Sequence, residues 1–297
     1  MRAADQTSDV RSGPHAPPLD AALSRLITTC VAALGPGLRA LCLFGSQLQP
    51  ATAPQTASRG VPDLLAIVDN DGLDAWLQRQ GHGPVLRWAS RRLPPLTLAL
   101  HIDEAAQAKL NLVEQSALHA ALHVLPDLYL AGRLSKALRV VHVRDAACQR
   151  ELEALVHLAA DQITRQVVRG LPRRCALTTA VRACVAISYR AELRPEGSRK
   201  LHALYVSHHA FFHARYEPLL KQHAARVGVH YDAAHDRLHD DRAVGQRVRE
   251  RVQLHAFLWR SQLRFLLRWP KQMLSYRGWW QYTVDKIVRA QRFERQR

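Results

Sequence analysis

The chain has 297 residues, enough for one large domain or two ordinary ones, and its 47% hydrophobic and 23% charged content excludes a disordered or low-complexity protein. A formal charge of +17 points to a polyanionic partner: nucleic acid, an anionic membrane or a phosphorylated substrate. No apolar run approaches the roughly 18–20 residues of a membrane-spanning helix, and five cysteines without zinc-site spacing predict buried free thiols in a reducing compartment.

Residues 1–18 are polar and proline-rich and predict a disordered N-terminus that is neither a signal nor a transit peptide. Leu19, Leu23, Leu26, Ile27, Cys30, Val31 and Leu34 then recur at helical spacing, and Gly35-Pro36-Gly37 stops that helix. Leu38 to Phe44 is apolar apart from Arg39 and suits a buried strand, followed at once by Gly45-Ser46. A Thr/Pro/Gln/Ser-rich loop over residues 49–60 leads to a second such strand, Leu64 to Val68, bracketed by Asp63 and Asp69. Residues 72–79 read as a helix, Leu96 to Ile102 and Leu110 to Val113 as strands, and Ala137 to Val143 as a fifth strand.

Past about residue 146 the pattern turns helical, over residues 147–169, 175–189, 198–226 and 242–268. The expected fold class is therefore α+β: a mixed sheet with helices over residues 19–145, an all-helical domain over 146–250, and a basic amphipathic segment over 251–297. Charge follows this division, with +3 over residues 1–150, +5 over 151–250 and +9 over 251–297. In the last stretch Trp259, Trp269, Trp279 and Trp280 interleave with Arg260, Arg264, Arg268, Lys271, Arg277 and Lys286, as in a segment that lies in an anionic headgroup layer. A core-packed helix with a solvated basic face would read the same way.

Three constellations could carry chemistry. In the first, Gly45-Ser46 follows one strand and Asp63 opens the next. Small residues at that turn let backbone N–H groups approach a triphosphate, and a neighbouring carboxylate can hold Mg²⁺ against the same phosphates. A second acid two residues after the first would share the ion, but Leu65 stands there. Asp69 has the right parity yet lies roughly 20 Å along the strand at ~3.3 Å per residue. Asp103 and Glu114 are the other candidate ligands. The second constellation is Leu128 to Lys136, where Arg133 and Lys136 could neutralise phosphate charge. The third is Ser188-Tyr189-Arg190-Ala191-Glu192-Leu193-Arg194, followed by Lys200. His230, His235 and His239, among aspartates, fit no zinc pattern and read as a solvated loop; His208, His209 and His213 read as packing residues.

In this order the segments resemble the mitochondrial-type phosphatidate cytidylyltransferases. Phe44-Gly45-Ser46 is similar to that family's Tyr-Gly-Ser, and Asp63 to Asp69 to its strand that opens and closes on aspartate. Leu128-Tyr-Leu-Ala-Gly-Arg-Leu-Ser-Lys136 resembles its Leu-Tyr-Ile-Ala-Gly-Arg-Leu-x-Lys almost residue for residue. Ser188 to Arg194 resembles its Ser-Tyr-x-Gly-Asp-x-Arg, with Lys200 at a family lysine and Tyr282 to Ile287 like its basic C-terminal stretch. The chain departs at Gln47, Ala191-Glu192 and Pro195. The resemblance implies a nucleotidyltransferase fold and transfer of a cytidylyl group from CTP to phosphatidate on the inner face of a membrane reached from the cytoplasm. It makes Asp63 and Lys136 catalytic. Gly45, Ser46, Arg133 and Lys200 would bind nucleotide, Asp63 and Asp103 would hold Mg²⁺, and Asp69, Glu114, Tyr189, Glu192 and Arg194 are further candidates. A nucleotidyltransferase with another acceptor, or an inactive basic nucleic-acid-binding protein, are the alternatives; no nucleic-acid-binding signature supports the latter.

Overall fold

Long apolar runs without alternation demand a sheet covered on both faces, and the computed structural model, which describes residues 20–44, 61–101, 107–191 and 198–275, has one. Strands β1 (Leu38–Phe44), β2 (Asp63–Val68), β3 (Leu96–His101), β4 (Gln107–Glu114) and β5 (Leu138–Val143) form a five-stranded mixed sheet in the order β3-β4-β2-β1-β5. Strands β2 and β4 run parallel, and the other neighbours are antiparallel. Alternation along β2 divides the core. Leu64, Ala66 and Val68 meet helices α1 (Ala21–Leu34), α2 (Gly72–Arg79) and α3 (Pro84–Arg92), whereas Leu65 and Ile67 meet the opposite layer.

That opposite layer begins with α4 (Gln115–His123) and α5 (Leu128–Leu134), continues through the 24-residue α6 (Ala146–Arg169), and runs on into the C-terminal half. One buried cluster joins Cys42, Phe44 and Leu65 of the sheet to Leu155 and Ile163 of α6. It reaches α7 (Leu177–Ala191), α9 (His209–Arg226) and Leu258 of α10 (Val244–Ser275). Helix α8 (Ser198–Ser207) sits between α7 and α9 in the chain. Asp145 caps α6, its carboxylate accepting from the Cys148 N–H at 2.8 Å, so this long helix starts where β5 ends.

The C-terminal half is not all helical. β6 (Arg174–Ala176), β7 (Val229–Asp232) and β8 (Arg237–Asp240) form a small antiparallel sheet in the order β6-β8-β7. The Asp/His stretch expected as a loop is thus a hairpin, turning where Asp236 adopts φ 50°. Each of its strands is four residues long and buries one apolar side chain, Val229 or Leu238, which is too little for a period-two signal.

The basic C-terminal segment is corrected as well. Up to Ser275 it is a helix built into the fold, with Arg268 and Lys271 buried rather than facing outward. The expected disordered N-terminus, the 49–60 loop and everything beyond residue 275 lie outside the described residues. No described helix is long and apolar enough to cross a membrane, and the five cysteines are all buried, as expected.

Candidate active site

Register brings the first two constellations together. Phe44, the last residue of β1, pairs directly with Asp63, the first of β2, so the two side chains share one face of the sheet. Across β2, Asp63 pairs with Lys109 of β4, whose Nζ lies 3.8 Å from Asp63 Oδ1. That carboxylate oxygen is buried and has no hydrogen-bond partner. A desolvated anionic oxygen is costly unless something cationic completes it.

Helix α5 delivers Arg133 to this strand end. Its guanidinium lies 4.9 Å from the Phe44 ring centroid and 4.4 Å from that of Tyr129, held between two aromatic faces. The phenol of Tyr129 is itself fixed, donating to Oδ1 of buried Asn111 at 3.3 Å. Asn111 in turn accepts from Thr97 and donates to the Leu64 carbonyl, tying α5 to β2, β3 and β4.

The second and third constellations meet as well. A Cβ on Gly132 would fall 2.3 Å from Cβ of Ser188, so only glycine lets α5 and α7 approach this closely. One turn further on, Lys136 Nζ stands 3.7 Å from the centroid of the Tyr189 ring. The two segments are therefore neighbours in space although more than 50 residues apart in sequence.

The N-terminus of α5 is clamped by α10. Asp127 caps the helix by accepting from the Tyr129 N–H, and its other oxygen accepts from Arg268 and from Arg264. Ser261 Oγ accepts from the Leu128 N–H at 3.0 Å. Arg268 also donates to the Pro94 carbonyl at 2.7 Å, and Lys271 Nζ donates to the carbonyls of Leu93 and Pro95. Burial, reinforced by the nearby Arg268 charge, pushes the Lys271 ammonium well below the usual lysine range. These cations serve the fold, which charge patterning alone could not reveal.

Asp69 and Glu114 do not join the site. In the register, Asp63 pairs with Lys109, whereas Val68 pairs with Glu114, which puts Glu114 and Asp69 at the far end, about 17 and 20 Å away at ~3.3 Å per residue. Asp69 there accepts from Arg39 at 2.8 Å and from Arg144 at 2.6 Å. Glu114 is buried beside Arg91, and burial raises its carboxyl above the ordinary range despite that partner. Both are structural ion-pair members.

Gly45, Ser46, Asp103, Glu192 and Arg194 lie outside the described residues, as does the side chain of Lys200. Lys109 is the residue that the sequence reading missed. It sits one position before the run read as a strand, and its basic side chain at the edge of an apolar stretch was the available signal.

Magnesium takes one or two carboxylates together with substrate phosphates rather than a full protein cage. Among the described residues no group of three metal-ligating side chains occurs, but Asp63 with its unsatisfied oxygen fits a site of that kind. No family model matches the chain, and no curated protein matches it.

Proposed function

We propose that the chain is a Mg²⁺-dependent nucleotidyltransferase, and specifically a phosphatidate cytidylyltransferase. The observation that carries this reading is the convergence at one strand end. Asp63, with a buried oxygen that accepts no hydrogen bond, pairs in register with the residue that precedes Gly45-Ser46, and Arg133 stacks on that same residue. Mg²⁺ held on Asp63 would neutralise charge on the triphosphate of CTP. Arg133 and Lys136 supply fixed positive charge for phosphate oxygens, and Lys109 balances the Asp63 carboxylate. The acceptor, a phosphate monoester, is already anionic at neutral pH and needs no general base, in keeping with the absence of histidine from the residues gathered here.

The lipid half of the proposal rests on α10. Val248, Val252, Trp259, Leu263 and Leu266 recur on one outward face and are all exposed, Trp259 by 64%. Exposed Val85 and Trp88 lie on α3, which packs against α10. An apolar stripe edged by Arg260, on a chain of charge +17, suits the headgroup layer of an anionic membrane, reached peripherally from the cytoplasm.

The test is transfer of radiolabel from each of the four α-labelled nucleoside triphosphates to phosphatidate. CTP should be the donor, and Asp63→Ala should abolish transfer while leaving the melting temperature near that of the parent. Near-normal transfer by a folded Asp63→Ala protein would sink the assignment.

A further inference from the structure

The C-terminal half holds a second cluster of arginines, apart from the residues of the transferase reading. The end of α6, the end of α9, the segment after β8 and the start of α10 border a half-open cavity of about 310 Å³. Its walls carry Arg165, Arg169, Arg226 and Arg242, with His223 and two carboxylates, Asp161 and Glu250. Three of these guanidiniums are paired with carboxylates, which leaves one positive charge over.

Arg242 is the built element. Its side chain is 1% exposed. Nε and Nη2 each donate to one oxygen of Asp240 at 2.7 Å, and Nη2 also reaches the Val168 carbonyl at 3.2 Å. That leaves Nη1, which is buried and has no hydrogen-bond partner. A buried guanidinium N–H without an acceptor carries its full desolvation cost, which an acceptor admitted beside it would relieve, and Arg242 is among the residues that line the cavity.

The other three arginines differ. Arg165 is paired with Asp161 at 2.7 Å and Arg169 with Glu250 at 3.1 Å, whereas Arg226 is exposed and has no carboxylate partner among the described residues. Counting Asp240 with Asp161 and Glu250, four guanidiniums face three carboxylates, a surplus of one positive charge before any proton on His223. Several forked donors around one cavity match the tetrahedral oxygens of a phosphate better than a planar carboxylate.

Arg169 also lines a second cavity of about 460 Å³, whose other walls include Val124, Pro126, Ala256, Phe257 and Arg260. We infer that the pair of cavities binds an organic phosphate monoester, with its phosphate on Arg165, Arg226 and Arg242 and its apolar or aromatic body against Phe257 and Val124. A nucleoside monophosphate and a lipid phosphate headgroup share that chemistry.

Calorimetric titration of the full chain, in EDTA and in the Asp63→Ala background, distinguishes the sources. Inorganic phosphate, CMP and dihexanoyl phosphatidate serve as probes. All three should bind, and Arg165→Ala/Arg226→Ala, which alters only exposed side chains, should weaken each by about tenfold or more. Whichever organic phosphate binds more tightly than inorganic phosphate names the source. If neither does, the role given to the apolar cavity is wrong. If the double variant binds as the parent does, or the parent binds no probe, the site itself is overturned. Because Asp63 is absent throughout, failure here leaves the transferase reading untouched.

Discussion

At the scale of single residues, Gly132 does more than its size suggests. Its missing side chain sets the distance between α5, which carries Arg133, and α7, which carries Tyr189. Gly132→Ala forces a Cβ into Ser188 and should cost about 1–3 kcal/mol by overpacking. Adding Ser188→Gly removes the collision at roughly 1 kcal/mol of helix propensity, so the double variant should melt above the single one. Thermal denaturation of the three proteins checks this. Equal melting temperatures for parent and Gly132→Ala would mean that the two helices can separate without loss. This contact also explains why Gly132 and Ser188 stand in two motifs that the sequence displays far apart.

At the scale of elements, the legible parts were those whose burial is uniform. Ala40 to Phe44 and Leu64 to Val68 face apolar partners on both sides, so an unbroken apolar run is a sufficient signal. The β7–β8 hairpin was not legible because its strands are short and half polar. Helix α10 was read inside out in part: Arg268 and Lys271 look like a solvated edge, yet they satisfy Asp127 and the backbone around Pro94. Candidate-site residues showed a parallel split. Asp63 and Arg133 were visible as motif members, but Lys109 gains its meaning only from β-sheet register, which a linear sequence does not display. The outward face of α10 carries its own prediction. Leu263→Ser/Leu266→Ser should abolish sedimentation with anionic liposomes and leave the melting temperature nearly unchanged, because both side chains are already exposed. Unaltered liposome binding would assign membrane attachment, if any, to another surface.

At the scale of the whole molecule, ion pairs between elements set the response to acid. Burial tends to raise the Asp240 carboxyl, but the Arg242 guanidinium overcomes this and holds it below the ordinary range. Asp69, Glu151 and Asp161 are likewise partly desolvated yet held low, by Arg144 and Arg39, by His119 and Arg39, and by Arg165 and His223. For each, the unfolded chain takes up a proton before the folded one does. Their stabilisation is therefore fully present above the ordinary carboxylate range and is lost as pH falls through the depressed values. Glu114, raised by burial, acts in the opposite sense and favours the folded state slightly as pH drops through its own window. These four, with Asp145, Glu217 and Asp232 lowered as well, outweigh Glu114 and predict a melting temperature that falls steeply below about pH 4. Calorimetric scans across that range measure it, and a flat profile would show that these pairs persist in the unfolded chain.

Helix α10 emerges from the ribosome after every other described element. Asp127 is fully buried beneath side chains that lie 134 to 141 residues downstream. Until Ser261 and Arg268 have emerged, the cap of α5 has only one of its partners, and the groove along β3 stays open. The emerging chain should therefore hold its sheet in an incomplete, protease-sensitive form and close only after synthesis has passed α10. Chains arrested after residue 255 and after residue 297, probed by limited proteolysis on stalled ribosomes, should differ sharply in resistance. Equal resistance would mean that the first 255 residues close on their own.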